Sequence, residues 1–208
     1  MTSSWVVKTP ARDAVFHYTP TFLSSADQEK LLAHVSQLSF QPCTNGRGHT
    51  TRLQSWYQDQ GRYFCEPWSG RYARWCAQET TSTLQRVRVR LEDHLRTLGL
   101  STPLNSCLVN VYRDGRDHMH AHQDAPSSFG TAPTIVNLSL GAPRELVFHK
   151  LRTNGRHDRT CAPRRVTLES GSVFVMAGGA NGGFTHALPA APSVNAPRYS
   201  LTFRHYDP

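Results

Sequence analysis

The sequence predicts an α+β fold: a jelly roll, or double-stranded β-helix, with two helices from the N-terminal half packed on one of its sheets. Two stretches before residue 104 carry apolar residues at helical spacing. From Leu104 onward the chain breaks into seven short strand-like runs separated by Gly, Pro, Asn and Asp clusters. No internal repeat or linker interrupts the 208 residues, so positions 1–208 read as a single domain, with a jelly-roll core over 104–208.

Residues 1–23 read as short extended pieces, of which Ala-Val-Phe-His-Tyr ends before Pro20. Ser25 is expected to start the first helix, with Gln28 as its capping-box partner. Leu31, Leu32, Val35 and Leu38 give that helix one apolar stripe. Residues 40–71 read as irregular, mixing Arg47, Arg52, Trp56, Tyr57, Arg62, Tyr63, Phe64 and Trp68 with glycines. Arginines interleaved with aromatics suit phosphate contact and base stacking.

The second helix is expected from Tyr72 to Leu98, buried along Leu84, Val87, Leu91, Leu95 and Leu98, with Gly99 at the position after its end. Arg86, Arg88, Arg90 and Arg96 decorate its other faces as a solvated surface, with extension of a phosphate-binding face as the alternative. Strands follow at Leu104–Tyr112, Thr134–Leu140, Glu145–His149, Arg165–Leu168, Ser172–Met176, Phe184–Leu188 and Tyr199–His205.

The net charge of +8, carried mostly by arginine, favours a polyanionic partner, with nucleic acid ahead of an anionic membrane surface. The five cysteines are irregularly spaced and form no CxxC. The N-terminus lacks an apolar signal-peptide core, and no apolar run is long enough to span a membrane. These features predict a soluble, intracellular protein with reduced thiols, monomeric, in nucleus or cytoplasm.

The chemistry concentrates between Asn110 and Asp124, where His118, His120 and His122 alternate and Asp124 follows two residues on. Residues i and i+2 of an extended strand share a face, so His122 and Asp124 can reach one metal ion. His186, after Gly-Gly-Phe-Thr, is the best third ligand. Two imidazoles and a carboxylate on one face, with the other face open, are the donor set of non-haem Fe(II) oxygenases. An alternative assigns the His118/His120/His122 cluster to zinc in a cupin-type jelly roll.

Such a site takes a bidentate ligand, often a 2-oxo acid whose distal carboxylate needs a strong partner. Arg198 and Arg204 lie six apart in the last strand and so share a face with Ser200 and Thr202. Two inward arginines would be costly in a dry core, and an anionic ligand would offset that cost. Asn110 and Tyr112 share a face upstream and offer an amide and a phenol to carboxylate oxygens.

In this order, Asn-x-Tyr, His-x-Asp, a distal His and two Arg six apart resemble the AlkB-type Fe(II)/2-oxoglutarate dioxygenases, in the branch that demethylates alkylated bases. Leu-Val-Asn-Val-Tyr-Arg-Asp-Gly-Arg-Asp-His, Ile-Val-Asn-Leu-Ser-Leu-Gly-Ala-Pro-Arg-Glu-Leu-Val-Phe and Arg-Tyr-Ser-Leu-Thr-Phe-Arg carry the resemblance. It implies iron on His122, Asp124 and His186. It implies 2-oxoglutarate held by Asn110, Tyr112 and Arg198, with Arg204 near its metal-bound end and Thr202 between the arginines. His118 and His120 are not ligands in this reading. The implied reaction consumes O2 and releases formaldehyde, succinate and CO2.

The same resemblance makes residues 1–103 the helices and a nucleotide-recognition lid. Arg52, Tyr57 and Gly61 resemble points on that lid. The base-stacking aromatic falls among Tyr63, Phe64, Tyr72 and Trp75, and Arg152 is a candidate phosphate or substrate contact. Family members often place an acid two residues after the metal Asp; here Pro126 stands there. That departure gives weight to an alternative, a hydroxylase of the same cofactor class acting on a protein side chain or a small molecule. A non-catalytic nucleic-acid-binding module is the reading from outside the enzymes.

Overall fold

Alternation and turn chemistry build the sheets, and apolar stripes hold the helices on one of them. The computed structural model describes residues 1–44, 48–60, 62–64 and 75–207. In chain order the elements are β1 (Ser3–Val7), β2 (Ala14–Thr19), α1 (Ser25–Val35), β3 (Gln41–Thr44), β4 (Thr50–Gln58), α2 (Ser82–Thr97), β5 (Ser106–Tyr112) and β6 (Met119–His122). They continue with α3 (Pro126–Phe129), β7 (Ile135–Gly141), β8 (Arg144–Lys150), β9 (Arg164–Leu168), β10 (Val173–Gly178), α4 (Ala180–Gly183), β11 (Phe184–Leu188) and β12 (Arg198–Arg204).

The strands form an eight-stranded sheet in the order β1-β2-β10-β7-β12-β5-β4-β3 and a four-stranded sheet in the order β6-β11-β8-β9. The named strand pairs are antiparallel. The seven expected strands are all present, with ends shifted by a residue or two. The jelly roll with two helices on one sheet is therefore the architecture observed.

Three buried clusters hold the layers. Leu31, Val35, Leu84, Leu91 and Leu95 from α1 and α2 pack on Cys107, Val109, Leu201 and Phe203 of the larger sheet. Phe16, Phe148, Phe174, Met176 and Phe184 fill the space between the sheets. Trp56, Phe64, Trp75, Leu108, Phe129 and Tyr206 form an aromatic cluster beside the site. Strand β12 links the layers: Leu201 and Phe203 face the helices, and Arg198, Ser200, Thr202 and Arg204 are buried on the alternate positions.

Several expectations need correction. The N-cap of α1 is Ser24, whose hydroxyl accepts from the Asp27 N–H at 3.2 Å. The Ser25/Gln28 capping box does not form. Gln28 instead donates to the Leu23 carbonyl at 3.2 Å and accepts from the Ser170 hydroxyl at 2.6 Å, which ties α1 to the turn before β10. Residues 41–44 and 50–58 are not irregular but make β3 and β4, and the buried polar residues of β4, Gln54, Ser55 and Gln58, hide the usual alternation.

Helix α2 starts at Ser82, not Tyr72; Thr81 caps it by accepting from the Leu84 N–H at 3.2 Å. Residues just upstream are committed elsewhere. Gln78 donates its N–H to Trp56 at 2.8 Å and accepts from the Gln58 N–H at 3.0 Å, extending the sheet past the end of β3. Gly99, at φ 75°, terminates α2 as expected. Of the α2 arginines, Arg88, Arg90 and Arg96 pair with Asp59, Asp27 and Asp93. Cys43, Cys76, Cys107 and Cys161 are free thiols, and no helix among the described residues is long and apolar enough to cross a membrane.

Burial lowers the pKa of His17 and His94 from the ordinary 6.5, and His17 lowers His94 further. Both stay neutral in the fold while the unfolded chain would take up protons below pH 6.5. Stability is then full above that value and is lost as pH falls through the lowered folded pKa values. Urea midpoints measured from pH 7 to pH 5 should decline, and His94→Gln should flatten the decline.

Candidate active site

The β6–β11 pairing sets His122 directly opposite His186. Their rings lie 4.2 Å apart, centroid to centroid. Asp124 follows β6 and turns inward. One donor atom from each of His122, Asp124 and His186 lies within 4.8 Å of the other two, and this is the only such group among the described residues. His118 and His120 lie outside it: His118 binds the Arg116 carbonyl, and His120 is exposed.

The protonation states suit metal binding. Burial, reinforced by His122, pushes the His186 imidazole down to about 3, so it is neutral with a free lone pair. Burial by itself would raise the Asp124 carboxyl, but the Arg204 guanidinium and the two histidines outweigh it and hold the group ionised, well below the carboxylate range. Arg204 Nε donates to Asp124 Oδ2 at 2.5 Å, while Oδ1 stands 3.7 Å from His122 Nε2. His122 Nδ1 meets the His120 carbonyl at 2.9 Å, which assigns the proton to Nδ1 and leaves Nε2 for a metal. His186 Nδ1 is buried without a partner. This donor set fits a divalent iron with positions left open.

The cavity beside these residues encloses about 290 Å³. Arg52, Asn110, Tyr112, Arg198, Thr202 and Arg204 line it, as do Phe64 and Trp75. Arg198 is 2% exposed. Its Nη2 reaches Ser139 Oγ at 2.9 Å, but Nε and Nη1 are buried with no partner, and among the described residues no carboxylate pairs with it. Burial pushes its pKa down to about 10. Its guanidinium lies 5.7 Å from the Tyr112 ring. A buried cation with unused donors at the inner wall of a cavity has the chemistry to take a carboxylate.

The remaining expected residues divide. Arg52 donates to Asn110 Oδ1 at 2.9 Å, so these two are joined. Thr202 Oγ1 accepts from Asn137 at 3.0 Å, and the Tyr112 hydroxyl points to Met119 Sδ at 3.8 Å. Trp75 stacks on Phe64 with centroids 4.4 Å apart, and Tyr63 packs on the same aromatic cluster. Tyr57 does not face the cavity. It is buried in the helix-side cluster, because residues 52 and 57 are an odd number apart on β4 and point to opposite faces. Arg152 lies outside this cavity, is exposed, and pairs with Asp158 at 3.3 Å. Gly61 and Tyr72 lie outside the described residues.

Sequence reasoning missed Asn137, Ser139 and Asn181. Asn137 donates to Ser200 at 2.5 Å and to Thr202 at 3.0 Å, and Ser139 supports Arg198. Alternating polar residues inside the otherwise apolar β7 were the available signal.

A jelly roll with a two-histidine, one-carboxylate donor set beside a buried, unpaired arginine defines a non-haem iron oxygenase that uses an oxo-acid cosubstrate. The chain belongs to the 2OG-Fe(II) oxygenase superfamily, whose family model matches residues 15–204. Membership implies Fe(II), 2-oxoglutarate and O2, for which the His122, Asp124 and His186 donors are in place. The chain is 35% identical over 122 residues to the DNA oxidative demethylase ALKBH2 of Bos taurus, covering 58% of this chain and 42% of that protein. It is 33% identical over 125 residues to the alpha-ketoglutarate-dependent dioxygenase alkB homolog 3 of Mus musculus, covering 58% of this chain and 41% of that one. These matches thus span less than half of either relative's length. The solved structure of OsALKBH1 superposes with a TM-score of 0.65 at 18% identity, over 91% of this chain and 96% of that one, and shares the fold.

Proposed function

We propose that residues 1–208 form one catalytic domain that oxidatively demethylates N-alkylated bases in DNA or RNA, and that His122, Asp124 and His186 hold its iron. Bound iron and 2-oxoglutarate together supply the oxidising power. The chain's own residues do the rest. Arg198 takes the distal carboxylate of the cosubstrate, with Asn110, Tyr112 and Thr202 around it. Arg204 keeps Asp124 charged and aimed. The walls exclude water, which strengthens each of these contacts.

The observation that carries the nucleic-acid substrate is the Phe64–Trp75 stack lining the same cavity as the donor triad. A flat, apolar, aromatic wall beside Arg52 suits a base turned out of its stack, and a base inside a duplex would be out of reach. The net charge of +8 suits the backbone that carries it. The names of the curated relatives point the same way.

Pro126 begins α3 directly after the Asp124 loop and puts no carboxylate there. This favours, as the second reading, a hydroxylase acting on a protein side chain or a small molecule. Oligonucleotides bearing N1-methyladenine or N3-methylcytosine separate the two. With Fe(II) and 2-oxoglutarate, formaldehyde should appear in step with succinate, and the rate should fall as salt rises. Succinate without formaldehyde from any such oligonucleotide would overturn the demethylase reading.

A further inference from the structure

We propose that Asn181 is the positioning residue for the metal-binding carboxylate, through its amide pairing with the Asp124 backbone. The β6 ladder ends at His122, so the peptide groups of Asp124 are left without strand partners. Asn181 supplies both. Its Oδ1 accepts from the Asp124 N–H at 2.9 Å, and its Nδ2 donates to the Asp124 carbonyl at 3.0 Å. Both residues are buried, Asn181 at 3% and Asp124 at 4% exposure.

A primary amide presents one donor and one acceptor side by side, the same set a backbone residue presents, so it acts here as a one-residue strand. No other single side chain of this size replaces it: Asp has no donor, and Leu has neither group. The following stitch is Gln123, whose Nε2 donates to the Asn181 carbonyl at 2.5 Å and to that of Gly182 at 3.2 Å. Asn181 sits in α4, and the next element, β11, carries His186. The amide therefore fixes Asp124 relative to the element that delivers His186, while Arg204 fixes only the carboxylate end. With Asp124 pinned at both ends, its carboxylate is held beside the two imidazoles before metal arrives.

The proposal rests on the reading of Asp124 as a metal ligand, and the test separates the two. Metal-free wild type, Asn181→Leu and Asn181→Asp would be titrated with Mn(II) by calorimetry. Co(II) absorption spectra and thermal unfolding of the metal-free forms would accompany the titrations. Wild type should bind one Mn(II). Asn181→Leu should bind it roughly 10–100-fold more weakly, in the range that loss of a supporting partner costs. Asn181→Asp, which keeps the acceptor, should fall between, and both should alter the Co(II) spectrum.

A purely structural role would lower the melting temperature but leave the folded protein with wild-type affinity and spectrum, and that result overturns the proposal. Wild type that binds no Mn(II) overturns the ligand reading instead. If Asn181→Leu does not fold, Asn181→Asp decides. Hydrogen exchange of wild type adds a check that needs no variant. The Asp124 amide should be protected despite lying outside any strand, and free exchange there would also overturn the proposal.

Discussion

Arg198→Met should make the metal-free protein more stable and abolish 2-oxoglutarate binding. The guanidinium is buried with two nitrogens unmet and its pKa is held down to about 10 by burial. That displacement from the ordinary 12.5 corresponds to a penalty of roughly 3 kcal/mol on the charged form at neutral pH. Met fills similar volume with no charge to desolvate, so the unliganded fold should gain stability. The cosubstrate should lose its partner in a buried charge pair, worth about 2–5 kcal/mol, or roughly 30- to 5,000-fold in affinity. Thermal unfolding with and without 2-oxoglutarate reads both effects at once. The wild type should show a ligand-dependent rise in melting temperature and the variant none. A variant that melts lower and still responds to 2-oxoglutarate would show that Arg198 is a structural cation.

His186→Ala should reduce turnover to background while leaving the fold in place. The loss should exceed the roughly 10–100-fold that removal of a supporting partner costs, because the proposed ligand itself is gone. Its imidazole faces His122 across the β6–β11 ladder and is already neutral. Removing it also removes a buried nitrogen without a hydrogen-bond partner, so the metal-free protein should lose only the packing of the ring. Formaldehyde release and Mn(II) titration should fall together. Product at the wild-type rate would sink the ligand assignment. His122→Ala should behave in the same way.

What could be read from the sequence follows from rigid spacing. His-x-Asp and Arg198/Arg204 sit at even separations on extended chain, and a strand converts even separations into shared faces whatever its partners. The seven downstream strands were legible for the same reason: apolar alternation and turn residues bracket each one. Strands β3 and β4 were not, because β3 is a short, largely exposed edge and the buried Gln54 and Gln58 with half-buried Arg52 make β4 imitate a loop. The start of α2 was hidden by Gln78, which pairs with β4 through backbone groups that no side-chain pattern reports. Asn181 acts on the backbone of a residue 57 positions away, and only the tertiary fold brings them together. Tyr57 was misplaced although the same parity rule, applied to Arg52, would have turned it toward the helices.

The donor triad belongs to the smaller sheet and its adjoining loop, whereas both inward arginines belong to the larger one. Iron and cosubstrate together would therefore act as a rivet through the sandwich, adding to the side-chain packing, the Arg204–Asp124 pair and the Tyr112–Met119 contact that already join its layers. A cell short of iron would hold this protein with its rivet drawn, and brief protease exposure should then cut it sooner than the loaded form.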